Sequence, residues 1–393
     1  MTVGSLRILV ACDWFSPCTG GGAERVAFEV VSRLAERGHR VAVLATVPRG
    51  GEPFTLPAGV DLSVVRAHSL AGLTRAQIGV APSLPVRADR AVGALRPDVV
   101  WGHSLQFQTT PFVALAARRR RIPLVVTAHI ADLEAVPGAV GLAARAHEAT
   151  VGRAILRSAT RCIAVSDAVA AHVRRLDRRV PVDVVPNGVD LRRFRPDMAA
   201  RSDRLRAGFL GRLVPNKGPD VAVRAVAEAA RAGLDVSLSV AGDGPDRAPL
   251  ERLAVGLGIA DRVRFDGFVV DPERWLREID VLIRPSTTEG MPLAVLEALA
   301  AGVAIVASDV PGNRALLRDG ESALLVAVRD IHAVAGALLR IERDPLLRSR
   351  LALAGPKIAA AYSWDATAES TLASLSRAIT MVRSRGRMER GLA

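Results

Sequence analysis

Cysteine is scarce in this chain: only Cys12, Cys18 and Cys162 occur among 393 residues. Three thiols give neither an even-numbered disulfide framework nor metal-ligand spacing, so a reducing compartment and no disulfide are expected. Aromatic residues are also few, with nine Phe, four Trp and one Tyr. No basic stretch interleaves with them, which argues against a stacking surface for nucleic acid. No charge-free apolar run reaches the ~18 residues that a spanning helix needs, and the apolar start of the chain is broken at Asp13. A cytoplasmic protein with at most peripheral membrane contact is therefore expected. Three chemical signatures are missing as well. No two aspartates stand two positions apart, which removes the Asp-x-Asp pair of metal-bound nucleotide-sugar sites. The Gly-x-Ser-x-Gly elbow and the Walker-type phosphate loop are absent too.

What is present is a large apolar fraction and an excess of positive charge. Half of the residues are hydrophobic, enough to build the cores of two domains. The net charge of +13 comes from 53 Lys and Arg against 40 Asp and Glu, and almost all of the cations are Arg. This balance favours anionic partners such as phosphorylated metabolites or an anionic surface, or belongs simply to a solvated exterior.

The apolar segments alternate between strand and helix patterns. Leu6 to Ala11 reads as a buried strand, followed by a glycine loop through Pro17, Gly20, Gly21 and Gly22 and a helix over 24–37. Further strands are predicted at 40–46, 61–66, 98–103, 123–129, 161–166 and 182–186, with helical patterns between most of them. Turn chemistry at Pro186-Asn187-Gly188-Val189-Asp190 and a charged, aperiodic run over 191–204 mark a linker. A second alternation places strands at 206–211, 236–241, 262–267, 280–285, 303–308 and 323–328, and helices near 219–232, 246–257, 292–301 and 330–343. The expected fold is α/β, with an N-terminal Rossmann-like domain over 1–195 and a C-terminal one over 196–363. A helical tail over about 346–382 is long enough to cross back to the first domain, and its helix over 364–385 is assigned there. Residues 383–393 are expected to fray.

Chemistry-bearing residues gather at the loops that follow strands. Thr288-Glu289-Gly290-Met291-Pro292-Leu293 leads from a strand into a helix that carries Glu297. Pro292 suits the first turn because it needs no amide partner there, so the helix is expected to begin near 292. Its unpaired amides and positive dipole end would suit a phosphate. Gly211-Arg212-Leu213-Val214-Pro215-Asn216-Lys217-Gly218 opens another helix and presents a guanidinium fork and an ammonium, a pair suited to a diphosphate or simply solvated. Gly242-Asp243-Gly244-Pro245 is a further turn at a strand end. Gly21 and Gly22 open the first helix and would let backbone approach an anion. Glu24 just inside complements the dipole. His129 ends its strand at the rim of the first domain, and none of the other six histidines has a comparable setting. No cluster of His, Cys and carboxylate suggests a metal.

Taken together, Gly21-Gly22-Ala23-Glu24-Arg25, His129, Ser166-Asp167, Pro186 to Asp190, Gly211-Arg212 with Lys217-Gly218, Gly242 to Pro245 and Glu289 through Glu297 resemble glycosyltransferase family 4 over nearly the whole chain. The resemblance implies a GT-B fold, two Rossmann-like domains facing across a cleft. It also implies retaining transfer of a hexosyl unit from a UDP- or GDP-linked sugar, with no cofactor and no required metal. Under it, Arg212 and Lys217 neutralise the leaving diphosphate, and Glu289 faces the donor sugar hydroxyls. The backbone of Gly290, Met291, Pro292 and Leu293 contacts the sugar or phosphates, and Glu297 accepts from the ribose. Gly21, Gly22 and Gly242 line the donor site, and His129 contacts the sugar near its reacting carbon. Glu289 is not assigned as a nucleophile, because the family is thought to use same-face attack with the donor phosphate taking the acceptor proton. The loop at Pro311 to Ala315 departs from the family pattern at Ala315, as do Ala323 and Ala327, and only local loop contacts are expected to change.

The acceptor is not legible. Segments 68–90 and 130–150 would shape its site and carry no recognisable code. A lipid-linked or cell-envelope glycan is the leading expectation and a small-molecule aglycone the next. Arg118-Arg119-Arg120-Arg121 at a helix end either meets anionic lipid headgroups or complements the helix dipole. Two other classes stay open: a GT-B-fold sugar-nucleotide epimerase, and a catalytically silent nucleotide-sugar-binding subunit.

Overall fold

The computed structural model describes residues 4–15, 21–48, 57–69, 79–131, 133, 138–196 and 204–391. Pro17, Cys18, Gly20, residues 197–203 of the linker and parts of the 68–90 and 130–150 segments lie outside the described residues. Within them, Cys12 and Cys162 are buried free thiols. No helix among the described residues is long and apolar enough to cross a membrane.

The chain divides into two compact units, one of residues 1–187 with 364–393 and one of 188–363. In the first, β1 (Arg7–Asp13), β2 (Arg40–Pro48), β3 (Val60–Ser69), β4 (Gly79–Val80), β5 (Val99–His103), β6 (Leu124–Ala128), β7 (Arg161–Ala164) and β8 (Val182–Val184) form one sheet. Its order is β4-β3-β2-β1-β5-β6-β7-β8. Every pairing is parallel except β3 with β4. A parallel sheet covered on both faces needs continuous apolar strands, and Ile8 to Cys12 are accordingly all buried. The helix Gly22–Glu36 turns Val26, Ala27, Val30, Val31 and Leu34 inward at helical spacing.

The second unit contains β9 (Leu205–Leu210), β10 (Val236–Ala241), β11 (Val263–Gly267), β12 (Val281–Arg284), β13 (Ala304–Ser308) and β14 (Leu324–Val326). Their order is β11-β10-β9-β12-β13-β14 and all pairings are parallel. This is the doubly wound 3-2-1-4-5-6 arrangement. The connections diverge between the adjacent strands β9 and β12, so the loops that leave their carboxyl ends flank an open crevice. Those loops are the two segments carrying Arg212, Lys217 and Glu289.

Three local expectations change. Residues 188–195 group with the second unit rather than the first. The Val189 amide donates to Tyr362 O at 3.0 Å, Arg193 pairs with Glu273 at 2.9 Å, and Phe194 is buried. The helical tail is two helices, Pro345–Ala359 in the second unit and Trp364–Gly391 in the first. The break falls where Val189 bridges Ser363. The second of these helices continues through residues 383–391 instead of fraying.

Candidate active site

The site in the second unit is built by two loops stitched together. After β9 the chain turns at Gly211, makes a short helical turn at Pro215–Lys217 and enters the helix Pro219–Arg231. After β12 it passes through Pro285 to Pro292 and enters the helix Leu293–Ala300. The Thr287 amide donates to Asn216 O at 2.9 Å, which ties one loop to the other. Gly242 lies against the first loop: its φ is +138°, and a Cβ there would sit 1.9 Å from Gly211 O. A side chain at 242 would therefore push the Arg212 turn away from its place.

Lys217 and Glu289 meet in this crevice. Lys217 Nζ donates to Glu289 Oε2 at 2.9 Å. The other carboxylate oxygen accepts from a residue the sequence reasoning passed over, Arg284 at the end of β12, whose Nε lies at 3.1 Å and Nη2 at 2.7 Å from Oε1. Burial works against the Glu289 charge, but Arg284 and then Lys217 overcome it and hold the carboxyl down at about 2. Burial likewise pushes the Lys217 ammonium down, opposed by Glu289 and reinforced by Arg284 and Arg212, to about 8. Arg212 stands exposed on the same loop, near enough for its charge to be felt at Lys217.

The helix carrying Glu297 starts one residue later than expected. Pro292 is its cap, in extended conformation, and the carbonyl of Pro292 accepts from the Leu296 amide at 3.3 Å. The amides of Leu293, Ala294 and Val295 then have no intrahelical acceptor and form the positive end of the helix at the Glu289 loop. Gly290, Met291 and Pro292 are buried, and so is Glu297. The helix Pro311–Arg314, set aside as a loop of local interest, backs this turn closely. A Cβ at Gly312 would fall 2.4 Å from Glu289 O, so Gly312 fixes the height of the Glu289 backbone.

In the first unit, His129 follows β6 at its carboxyl end, half-buried. It is not alone there. His103, the last residue of the neighbouring strand β5, stacks on it with ring centroids 5.5 Å apart, and its Nδ1 lies 3.3 Å from His129 Nε2. The expectation that no other histidine shares the setting of His129 is thus corrected. Both histidines end adjacent parallel strands, which brings their rings together. Burial pushes His129 down to about 4 and His103 also well below its ordinary value, so both are neutral at neutral pH. Gly21 caps the first helix and Gly22 begins it. Asp13, at the end of β1, accepts the amides of Gln108 and Thr109 at 2.8 and 3.1 Å. It thereby fixes the start of the helix Thr109–Arg119 beside the same strand ends.

A charged Lys217 is what a diphosphate would bind, which gives a pH test. Above about 8 the free ammonium loses its proton, so affinity for a nucleoside diphosphate should fall by up to about tenfold per further pH unit. Calorimetric titration with UDP from about pH 7 to about pH 9.5 reads this. The slope is expected to flatten in Lys217→Arg, and a flat wild-type profile would contradict the assignment.

Comparison with known proteins is consistent with this geometry. Residues 204–344 match the family described as Glycosyl transferases group 1, and residues 20–193 match Glycosyltransferase Family 4. The D-inositol 3-phosphate glycosyltransferase of Frankia alni is 37% identical over 309 residues, covering 72% of this chain and 75% of that protein. The protein of the same name from Mycobacterium marinum is 32% identical over 395 residues, covering 92% of this chain and 83% of its own. Among solved structures, Anabaena Alr3699/HepE in complex with UDP-glucose superposes with a TM-score of 0.75 at 19% identity, covering 95% of this chain and all of that one. Likeness at that identity speaks to the fold, which is GT-B with two Rossmann-like halves.

Proposed function

The chain belongs to glycosyltransferase family 4, and from that premise we propose that it moves a hexosyl unit from a nucleotide-diphosphate sugar to a small phosphorylated acceptor, with retention of configuration. The observation that carries the donor half is the Lys217–Glu289 contact of 2.9 Å at the β9/β12 crevice, beside the start of the helix Leu293–Ala300. The leaving diphosphate develops negative charge in the transition state. Fixed cations and oriented amides stabilise that charge without reorganising. Arg212, Lys217 and the amides of Leu293 to Val295 supply this in the proposed mechanism, with no metal assigned a step.

Glu289 acts as a hydrogen-bond acceptor for the donor sugar hydroxyls. A carboxyl held at about 2 carries no proton to give at neutral pH and is a weak base. Both of its oxygens already accept from cations. Glu289 is therefore given no proton-transfer step, and we assign same-face attack with the donor phosphate taking the acceptor proton. Glu297 accepts from the ribose, and Gly242 keeps the Arg212 turn in place. On the first unit, the neutral His129 is suited to offer a hydrogen bond rather than a charge, and Gly21 and Gly22 leave backbone open at a helix start.

UDP is the favoured nucleotide, on the likeness to a structure that holds UDP-glucose. For the acceptor, the names of the relatives point to D-inositol 3-phosphate. We place a phosphorylated cyclitol ahead of the lipid-linked glycan and aglycone expected from sequence alone, since an anionic acceptor also suits a net charge of +13. Within the Arg118 to Arg121 run, Arg120 is engaged by both oxygens of Asp89 at 2.6 and 2.8 Å. That weakens the case for a four-arginine membrane patch.

The test is product analysis by mass spectrometry, with UDP-glucose and UDP-N-acetylglucosamine as donors and D-inositol 3-phosphate, free inositol and a polyprenyl phosphate as acceptors. The expected product is a glycosylated inositol phosphate with release of UDP. A rearranged sugar formed without acceptor would identify an epimerase. Inertness toward every donor in a folded, UDP-binding protein would favour a silent binding subunit.

A further inference from the structure

We propose that Arg284 is a positioning residue that keeps Glu289 in place while Lys217 leaves it for the donor diphosphate, an inference that rests on the donor site described above. Arg284 is an unusual residue for the end of a central parallel strand. Its side chain is only 6% exposed, although a guanidinium is rarely buried unless every face of it is matched. Here it is matched. Nη1 donates to Leu210 O at 2.7 Å, and Nε and Nη2 both reach Glu289 Oε1. The guanidinium carbon stands 6.0 Å from the centre of the Phe209 ring. Gly211 makes room for it: a Cβ at 211 would lie 2.4 Å from Arg284 Nη1. One guanidinium thus holds the end of β9 to the loop after β12, the two strands between which the site opens.

The division of the carboxylate gives this arrangement its function. Arg284 occupies Oε1 and Lys217 occupies Oε2. When a diphosphate enters, Lys217 is drawn to it. Glu289 would then be a stranded buried anion unless a second cation remained, and stranding a buried charge is strongly unfavourable. Arg284, anchored on Leu210 O, stays. Oε2 is released toward the donor sugar at the moment the phosphate charge is neutralised. Without Arg284, Glu289 would depend on Lys217, and so would compete with the diphosphate for it.

The experiment is a double-substitution cycle on the full chain, with UDP affinity measured by calorimetry and melting temperature by circular dichroism. Arg284→Met is expected to weaken UDP binding about tenfold, and Glu289→Gln alone to change it by less than about threefold. The two together should bind UDP nearly as well as Glu289→Gln, because Lys217 is free again. Arg284→Lys, which keeps charge without the fork, should fall between wild type and Arg284→Met. Strict additivity of the two substitutions, or wild-type UDP affinity in Arg284→Met, would overturn the proposal. If Arg284→Met does not fold, Arg284→Lys and Arg284→Gln carry the same cycle. If wild-type protein binds no UDP, the donor reading fails by itself. Arg284 is then judged on melting temperature, where the loss in the Arg284 variant should be relieved by Glu289→Gln, and an equal loss in both backgrounds would overturn it.

Discussion

Lys217→Ala is expected to lower glycosyl transfer by a hundredfold or more while leaving the fold intact. Removing one preorganised electrostatic stabiliser from a reaction that develops charge costs about 10²–10³ in rate. Of the two cations assigned to the diphosphate, Lys217 is the more enclosed, with 17% of its side chain exposed, whereas Arg212 stands exposed. The substitution leaves Glu289 paired with Arg284 at 2.7 Å, so no buried anion is stranded and the melting temperature should change little. The loss should fall more on kcat than on KM, because the diphosphate charge grows toward the transition state. Initial-rate kinetics with UDP release as the readout, beside a circular dichroism melt, checks both parts.

Glu289→Gln should reduce transfer by a similar factor, for a different reason. The amide has the shape of the carboxylate but not its charge, and it accepts at only one atom. The sugar loses its acceptor, while Lys217 and Arg284 lose their common partner. Transfer is therefore expected to drop about a hundredfold, with UDP binding within about threefold of wild type. This split between retained diphosphate binding and lost transfer marks Glu289 as a sugar contact. Parallel loss of both would instead mean that Glu289 matters mainly for the shape of the site. The variant also removes an acid-sensitive group. With a folded value near 2 against an ordinary 4.5, the Glu289 carboxylate contributes stability that is complete above about 4.5 and lost as pH falls toward 2.

Much of this was legible in the chain. The strand expected at 303–308 is found at Ala304–Ser308 and is buried throughout, as a parallel sheet covered on both faces requires. Lys217 and Glu289 were legible because each sits on a turn between a strand pattern and a helix pattern, where an α/β sheet presents ligand-binding groups. Arg284 was not. An arginine ending a strand reads as a solvated rim residue, and only the close approach of β9 and β12 makes it the buried partner of Glu289. His103 was missed for a related reason. It lies 26 positions from His129, and nothing in spacing says that β5 and β6 are neighbours. The contacts at Glu289 suit it to hydrogen bonding and charge balance.

Central to the proposed function is the use of a nucleotide sugar as glycosyl donor at the Arg212, Lys217 and Glu289 crevice. Its most direct test is the coupled measurement of UDP release and acceptor mass gain in one reaction with UDP-sugar and D-inositol 3-phosphate, run for wild type, Lys217→Ala and Glu289→Gln. Stoichiometric release and mass gain are expected in the wild type, with near-complete loss of both in each folded variant. Wild-type rates in either variant would contradict it.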